Sequence, residues 1–278
     1  MFIYEPAKAL EIILSYLPRN LSGYRKQNRK FLQYFMGYCQ MMNRLLQIRE
    51  SEKKSHIEMY SNEQLYKTES WLKKPIRTIQ DLIPMFQDYA TLKVLDLGCG
   101  IGRNCIPIAL AYKSINCSID CVDILDMAIE KLHTNATEYG VQASINGIVK
   151  PMEDYTIPKE YYDFIIAVSA LEHMDTETSL INKLIEIREG TCPNGIVCFI
   201  MNSNVREQDK ETGFSIPAQF EINLPTENIQ SILTEIFLGW NIIKFTVQEQ
   251  QYDIPRESII SNLKTHVVTY VAQKIISQ

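Results

Sequence analysis

The sequence predicts an α/β fold in which a mostly parallel open sheet carries helices on both faces, preceded by a helical N-terminal segment. Two observations predict the sheet. From residue 93 onward, short apolar runs of strand length alternate with helical stretches. At the first strand-to-helix junction, three alternating glycines (Gly98, Gly100 and Gly102) leave the backbone bare where a ligand docks on such a fold. A third observation marks the N-terminal segment. Residues 1–55 carry ten Lys/Arg and four Glu, a balance of +6, which leaves −11 for the rest of a chain of net charge −5.

Taken in order, Ala7 to Leu17 has an apolar stripe at Leu10, Ile13, Leu14 and Leu17, stopped by Pro18. A second helical stripe runs from Phe31 through Phe35, Tyr38 and Met42 to about Ile48, led by Arg25, Lys26, Arg29 and Lys30. Residues 51–58 are polar and read as a linker. Residues 1–58 are therefore an appendage and 59–278 the main domain. Between Tyr60 and Phe86, Ile76, Ile79, Leu82 and Ile83 recur at helical spacing. The strands fall at 93–97, 118–122, 145–149, 162–168 and 195–201, with two late ones near 241–248 and 265–272. The helices fall at 103–112, 125–139, 177–189 and 226–237. Pro107 stands early enough in the first of these to be tolerated.

Composition narrows the class. A hydrophobic share of 46% and a charged share of 22% are those of a folded globular protein. The seven cysteines show no C-x-x-C pair and no histidines near them, which predicts reduced thiols in a cytoplasmic setting and no metal site. No basic-then-apolar leader opens the sequence, and the longest apolar runs have strand length, so no membrane contact is expected.

The glycine turn reads Asp96-x-Gly98-x-Gly100-x-Gly102. An acid in the strand end would repel a pyrophosphate but suits a cationic ligand. The next strand ends in Asp123, where a carboxylate can accept both hydroxyls of a ribose. On these residues the chain resembles the class I S-adenosylmethionine-dependent methyltransferases, from about Tyr60 to the C-terminus. The resemblance implies a Rossmann-like seven-stranded sheet of order 3-2-1-4-5-7-6 with the last strand antiparallel, and S-adenosylmethionine as cofactor. It places Asp96, Gly98, Cys99, Gly100, Gly102 and Asp123 around that cofactor, with Ile124 on the adenine face and Val168 at the fourth strand's end. Many relatives carry an aspartate where Pro151 or Met152 falls, so Glu153 or the backbone at Met152 takes the adenine contact. It also makes Tyr60, Tyr66 and Trp71 candidates for a lid.

The fourth strand runs into Ser169-Ala170-Leu171-Glu172-His173, without the Asn/Asp-Pro-Pro-aromatic motif of enzymes that grip exocyclic or amide nitrogens. That favours a small-molecule acceptor and disfavours nucleic acid. His173 is the candidate catalytic residue, since its ordinary pKa permits proton removal near neutrality; packing at the helix start is its other reading. Asn202, Ser203 and Asn204 share the carboxyl rim and are candidates for substrate contact or for loop chemistry. Gly102-Arg103-Asn104 and the late Gly239-Trp240 region resemble tellurite-resistance-type and related small-molecule methyltransferases. By that likeness Arg103 and Arg256 are candidates to bind an oxyanion. The alternatives are an RNA or protein methyltransferase recruited by the basic N-terminal helices, and a non-catalytic cofactor-binding subunit. The same helices are a candidate homodimer surface.

Overall fold

The computed structural model describes residues 25–62, 64–68, 70, 72–256 and 259–275. The helix expected over 7–17 and the lid candidate Trp71 lie outside the described residues. The described residues fall into two units that divide after Ser51. Helix α1, Arg25–Asn62, is continuous through 51–58, where polarity alone suggests a linker. The reason is local. The stretch holds neither proline nor glycine, and Glu52 pairs with His56 one turn on, at 3.5 Å.

The sheet consists of β1 (Thr91–Leu97), β2 (Asn116–Asp123), β3 (Ile145–Val149), β4 (Tyr162–Val168), β5 (Thr191–Asp209), β6 (Ser215–Ile216), β7 (Asn241–Pro255) and β8 (Ile260–Gln273). Its order is β3-β2-β1-β4-β5-β8-β7, with the two-residue β6 paired to β5. Setting aside β6, which the sequence reading did not anticipate, this is the expected order. The first five strands are mutually parallel, and β8 runs antiparallel to both β5 and β7.

The helices after α1 are α2 (Arg77–Leu82), α3 (Cys105–Ala111), α4 (Asp126–Glu138), α5 (Glu177–Gly190) and α6 (Thr226–Ile236). Ile79, Ile106 and Leu132, from α2, α3 and α4, pack with Val94 and Ile166 of the sheet. Leu184 and Leu233, from α5 and α6, pack with Leu95, Leu97 and Phe199 on the other face. Because strand side chains alternate, Asp96 falls on the Val94 face, beneath α3 and α4.

Strand length is the main departure from expectation. β5 was expected to stop at residue 201, but it continues to Asp209, paired with a lengthened β8 on both sides of an irregularity between Ser203 and Arg206. Beyond the parallel rim, these strands and β7 form an antiparallel arm. Its polar composition hid it from a search for apolar strands. Buried Glu207 holds it together, accepting two hydrogen bonds from the fork of Arg256 at 2.7 and 2.9 Å and a third from Ser261 at 2.5 Å.

Candidate functional site

The parallel register sets the carboxyl ends of β1 to β5 on one rim. Leu97 stands beside Val122 and Ala167, Asp123 beside Val149, and Val168 beside Ile200. The cofactor corner, the turn after β3 and the loop after β4 therefore meet at one place.

At its centre the backbone turns through left-handed conformations at Gly98 (φ +71°) and Gly100 (φ +53°). A Cβ on Gly98 would lie 2.5 Å from that of Ala170, and one on Gly100 would lie 2.6 Å from the Tyr60 hydroxyl oxygen. The main chain must come this close to its neighbours, so only glycine fits. The loop is pinned from two sides. Gly98 and Cys99 donate their N–H groups to the Val122 carbonyl, and Asn135 of α4 donates to Ile101.

Asp123 accepts hydrogen bonds from the backbone N–H of Gly100 and of Leu125, each at 2.9 Å. Burial raises its pKa, although these hydrogen bonds and nearby His56 oppose the rise. Asp96 is more exposed to this conflict. It is 1% exposed, and its Oδ2 has no hydrogen-bond partner. Burial, reinforced by the charge of Asp123, pushes its pKa up to about 8. A buried carboxyl with an orphaned oxygen, within the field of a second, half-buried one, calls for a cation.

The end of α1 covers this corner. Tyr60 is 9% exposed, with its hydroxyl over Gly100, and Lys131 of α4 donates to its carbonyl. Burial raises the Tyr60 pKa, helped by the charges of Asp123 and Asp96, so the phenol keeps its proton. Tyr66 donates to the Arg103 carbonyl at 2.9 Å and packs edge-on against Tyr139. Beyond Asp123, Ile124 and Val149 are about half exposed, and Met152 and Glu153 form a short 3-10 turn after β3. This leaves a partly apolar surface beside the acid.

At the β4 end, Ser169 adopts a left-handed conformation (φ +49°) and donates its N–H to Ile200. Three residues on, Glu172 is 1% exposed. One of its oxygens accepts from the Asn202 backbone and side chain at 3.0 and 2.6 Å, while Oε2 has no partner. His173 bonds Glu221 at 2.8 Å and stacks on Phe220. Burial works to lower the His173 pKa, but the Glu221 hydrogen bond and the charges of Glu172 and Glu221 overcome it and raise it to about 9. The ring is thus an imidazolium at neutral pH.

Several candidates therefore have partners the sequence did not show. Arg256 spends its fork on Glu207 and on Gln219 (2.8 Å), so it is not a ready oxyanion ligand, and Arg103 donates its Nε–H to the Lys74 carbonyl. Asn202, Ser203 and Asn204 lie inside β5, not in a loop, and brace it against Glu172, Thr226 and Thr265. Glu172, Glu221 and Lys131 were missed as site residues. Only the Glu172-His173 pairing was visible in the sequence, because Glu221 and Lys131 reach the site through tertiary folding.

With this geometry in place, comparison with known proteins shows what the chain resembles. A family described as "Methyltransferase domain" matches residues 94–195. TehB from Haemophilus influenzae shares the fold, with a TM-score of 0.52 and 19% identity over 70% of this chain and 62% of TehB. Residues 94–195 thus resemble a methyltransferase domain, on a sheet that shares the fold of TehB.

Curated methyltransferases match part of this chain. A ubiquinone biosynthesis O-methyltransferase of Rickettsia canadensis is 31% identical over 125 residues, covering 44% of this chain and 49% of that protein. A tRNA N(3)-cytidine methyltransferase of Homo sapiens is 29% identical over 113 residues, 39% of this chain and 29% of that protein. The chain thus spans about half the length of the first of these relatives and less than a third of the second. The cofactor of this class is S-adenosylmethionine, and the residues present fit it. The orphaned Asp96 oxygen lies at a glycine turn that admits no side chain. No helix among the described residues is long and apolar enough to cross a membrane, and no cluster among them could hold a metal.

Proposed function

We propose that this chain transfers a methyl group from S-adenosylmethionine to a small-molecule acceptor. The observation that carries the cofactor half is buried Asp96, which keeps an unsatisfied oxygen at a glycine turn under the charge of Asp123. A bound sulfonium nucleoside supplies an electrophilic methyl and needs little from the protein beyond alignment and dryness. Asp96 would take the cofactor's ammonium, Asp123 its ribose hydroxyls, and Ile124 with the turn at Met152 and Glu153 its adenine. Tyr60 would close the corner against water.

For the acceptor, three features favour a small molecule. The β4 end lacks an amine-gripping motif, and residues 56–278 are strongly acidic, which works against a polyanion. The Phe220–Glu221 segment also packs onto His173, closing the rim beside β4. His173, charged and bonded to Glu221, holds that segment in place. It is a poor base, so the acceptor loses its proton to solvent or carries a lone pair already free.

The test uses pure protein and methyl-labelled S-adenosylmethionine, offered separately to a low-mass metabolite fraction and to total tRNA. Label in the low-mass fraction is the expected outcome. Label in RNA would replace the small-molecule reading with the RNA one. Tight binding of S-adenosylhomocysteine with no transfer to any acceptor would mark a non-catalytic subunit.

A further inference from the structure

The arm carries a second feature, independent of the methyl-transfer reading. Arg206 of β5 and Lys264 of β8 are direct cross-strand partners, and both side chains are exposed. Directly opposed residues on antiparallel strands stand close enough to interact, and two like charges there repel. Elsewhere the arm matches its cations. Arg256 is bound to Glu207, and Lys210 lies 2.6 Å from Asp253. Among the described residues no acid pairs with Arg206 or Lys264.

These two cations line a half-open cavity of about 470 Å³, with Asn204, Gln251 and His266 among its walls. The cavity wall also holds one acid, Glu249, which is largely solvated and lies 3.5 Å from the His266 ring, with no ion pair to Arg206 or Lys264 among the described residues. The guanidinium offers a planar fork of donors and the lysine a point charge. His266 and Asn204 hydrogen-bond at the N-terminal residue of α6, Thr226, which fixes the inner wall. We propose that this groove binds a phosphate group, free or carried by a small molecule, between Arg206 and Lys264. The bound dianion relieves a repulsion that the fold otherwise bears.

The proposal is tested on the full chain by calorimetry with inorganic phosphate at fixed ionic strength, with phenyl phosphate and malonate as comparison probes. Arg206→Gln and Lys264→Gln are each expected to weaken phosphate binding at least tenfold. Lys264→Glu, which gives Arg206 a partner, is expected to abolish it while keeping the fold. S-adenosylhomocysteine affinity stays unchanged in all three. Phosphate is also expected to raise the melting temperature of the wild type but not of Lys264→Glu. Phenyl phosphate binding as well as phosphate points to a phosphorylated small molecule, and phosphate alone points to the free ion; either supports the groove. Absence of phosphate heat, equal binding in the variants, or malonate binding as well as phosphate would overturn it.

Discussion

Asp96 offers the sharpest test of the cofactor corner. Its folded pKa of about 8 lies far above the ordinary 3.8, through burial and the neighbouring Asp123. The unfolded chain ionises this group near pH 4, while the folded, ligand-free chain keeps it protonated to about pH 8. Folding therefore takes up a proton in that window, and stability falls as pH rises from about 4 to about 8. At pH 7 the accumulated cost is on the order of 4 kcal/mol, from about three pH units at about 1.4 kcal/mol each. Asp96→Asn removes the titration, and the ligand-free variant should gain up to that amount at pH 7 in urea unfolding. The same variant should lose affinity for S-adenosylhomocysteine, whose ammonium needs the ionised acid. In the wild type, binding should release a proton, detectable by calorimetry in buffers of different ionisation enthalpy. Affinity should climb by up to about tenfold per pH unit between about 5 and 8, then level. A flat affinity across that range, or parallel pH–stability curves for wild type and Asp96→Asn, would refute the reasoning.

Four further outcomes follow from the same structure. Gly98→Ala places a Cβ 2.5 Å from that of Ala170 at φ +71°; it should cost about 2–4 kcal/mol in urea unfolding and weaken cofactor binding. Asp123→Ala strips the acceptor from the N–H groups of Gly100 and Leu125, and should cost about 1–3 kcal/mol and at least tenfold in S-adenosylhomocysteine affinity. The His173 pKa is raised from 6.5 to about 9, so its stabilisation is complete below pH 6.5 and lost as pH rises through 9. Discounted for a side chain 24% exposed, it is worth about 1–3 kcal/mol, and Glu221→Gln should flatten that alkaline limb. Arg256→Met leaves Glu207 buried without its cation and should cost about 3–5 kcal/mol by urea unfolding.

Much of the sheet was legible because its signals are local. Val94, Leu95 and Leu97 next to three glycines declare a buried strand and a bare turn, and the alternation downstream repeats the unit. The four helices after β1 stand within about two residues of their expected bounds. The arm was not legible, because residues 202–209 and 249–255 are polar and their pairing across β8 appears in no local pattern. The continuity of α1 was hidden for a similar reason, since a polar exposed helix and a polar linker have much the same composition.

The amino-acid sequence alone determined the strand–glycine–helix corner and the second acid, since each depends on residues adjacent in the chain, while the order of the sheet came only through the family resemblance. Tertiary structure decided which charges are already spoken for. It bound Arg256 to Glu207, set His173 against Glu221, left one oxygen of Asp96 unsatisfied, and placed Arg206 opposite Lys264. Burial and pairing set the free energy of a charge, and both arise from residues far apart in sequence.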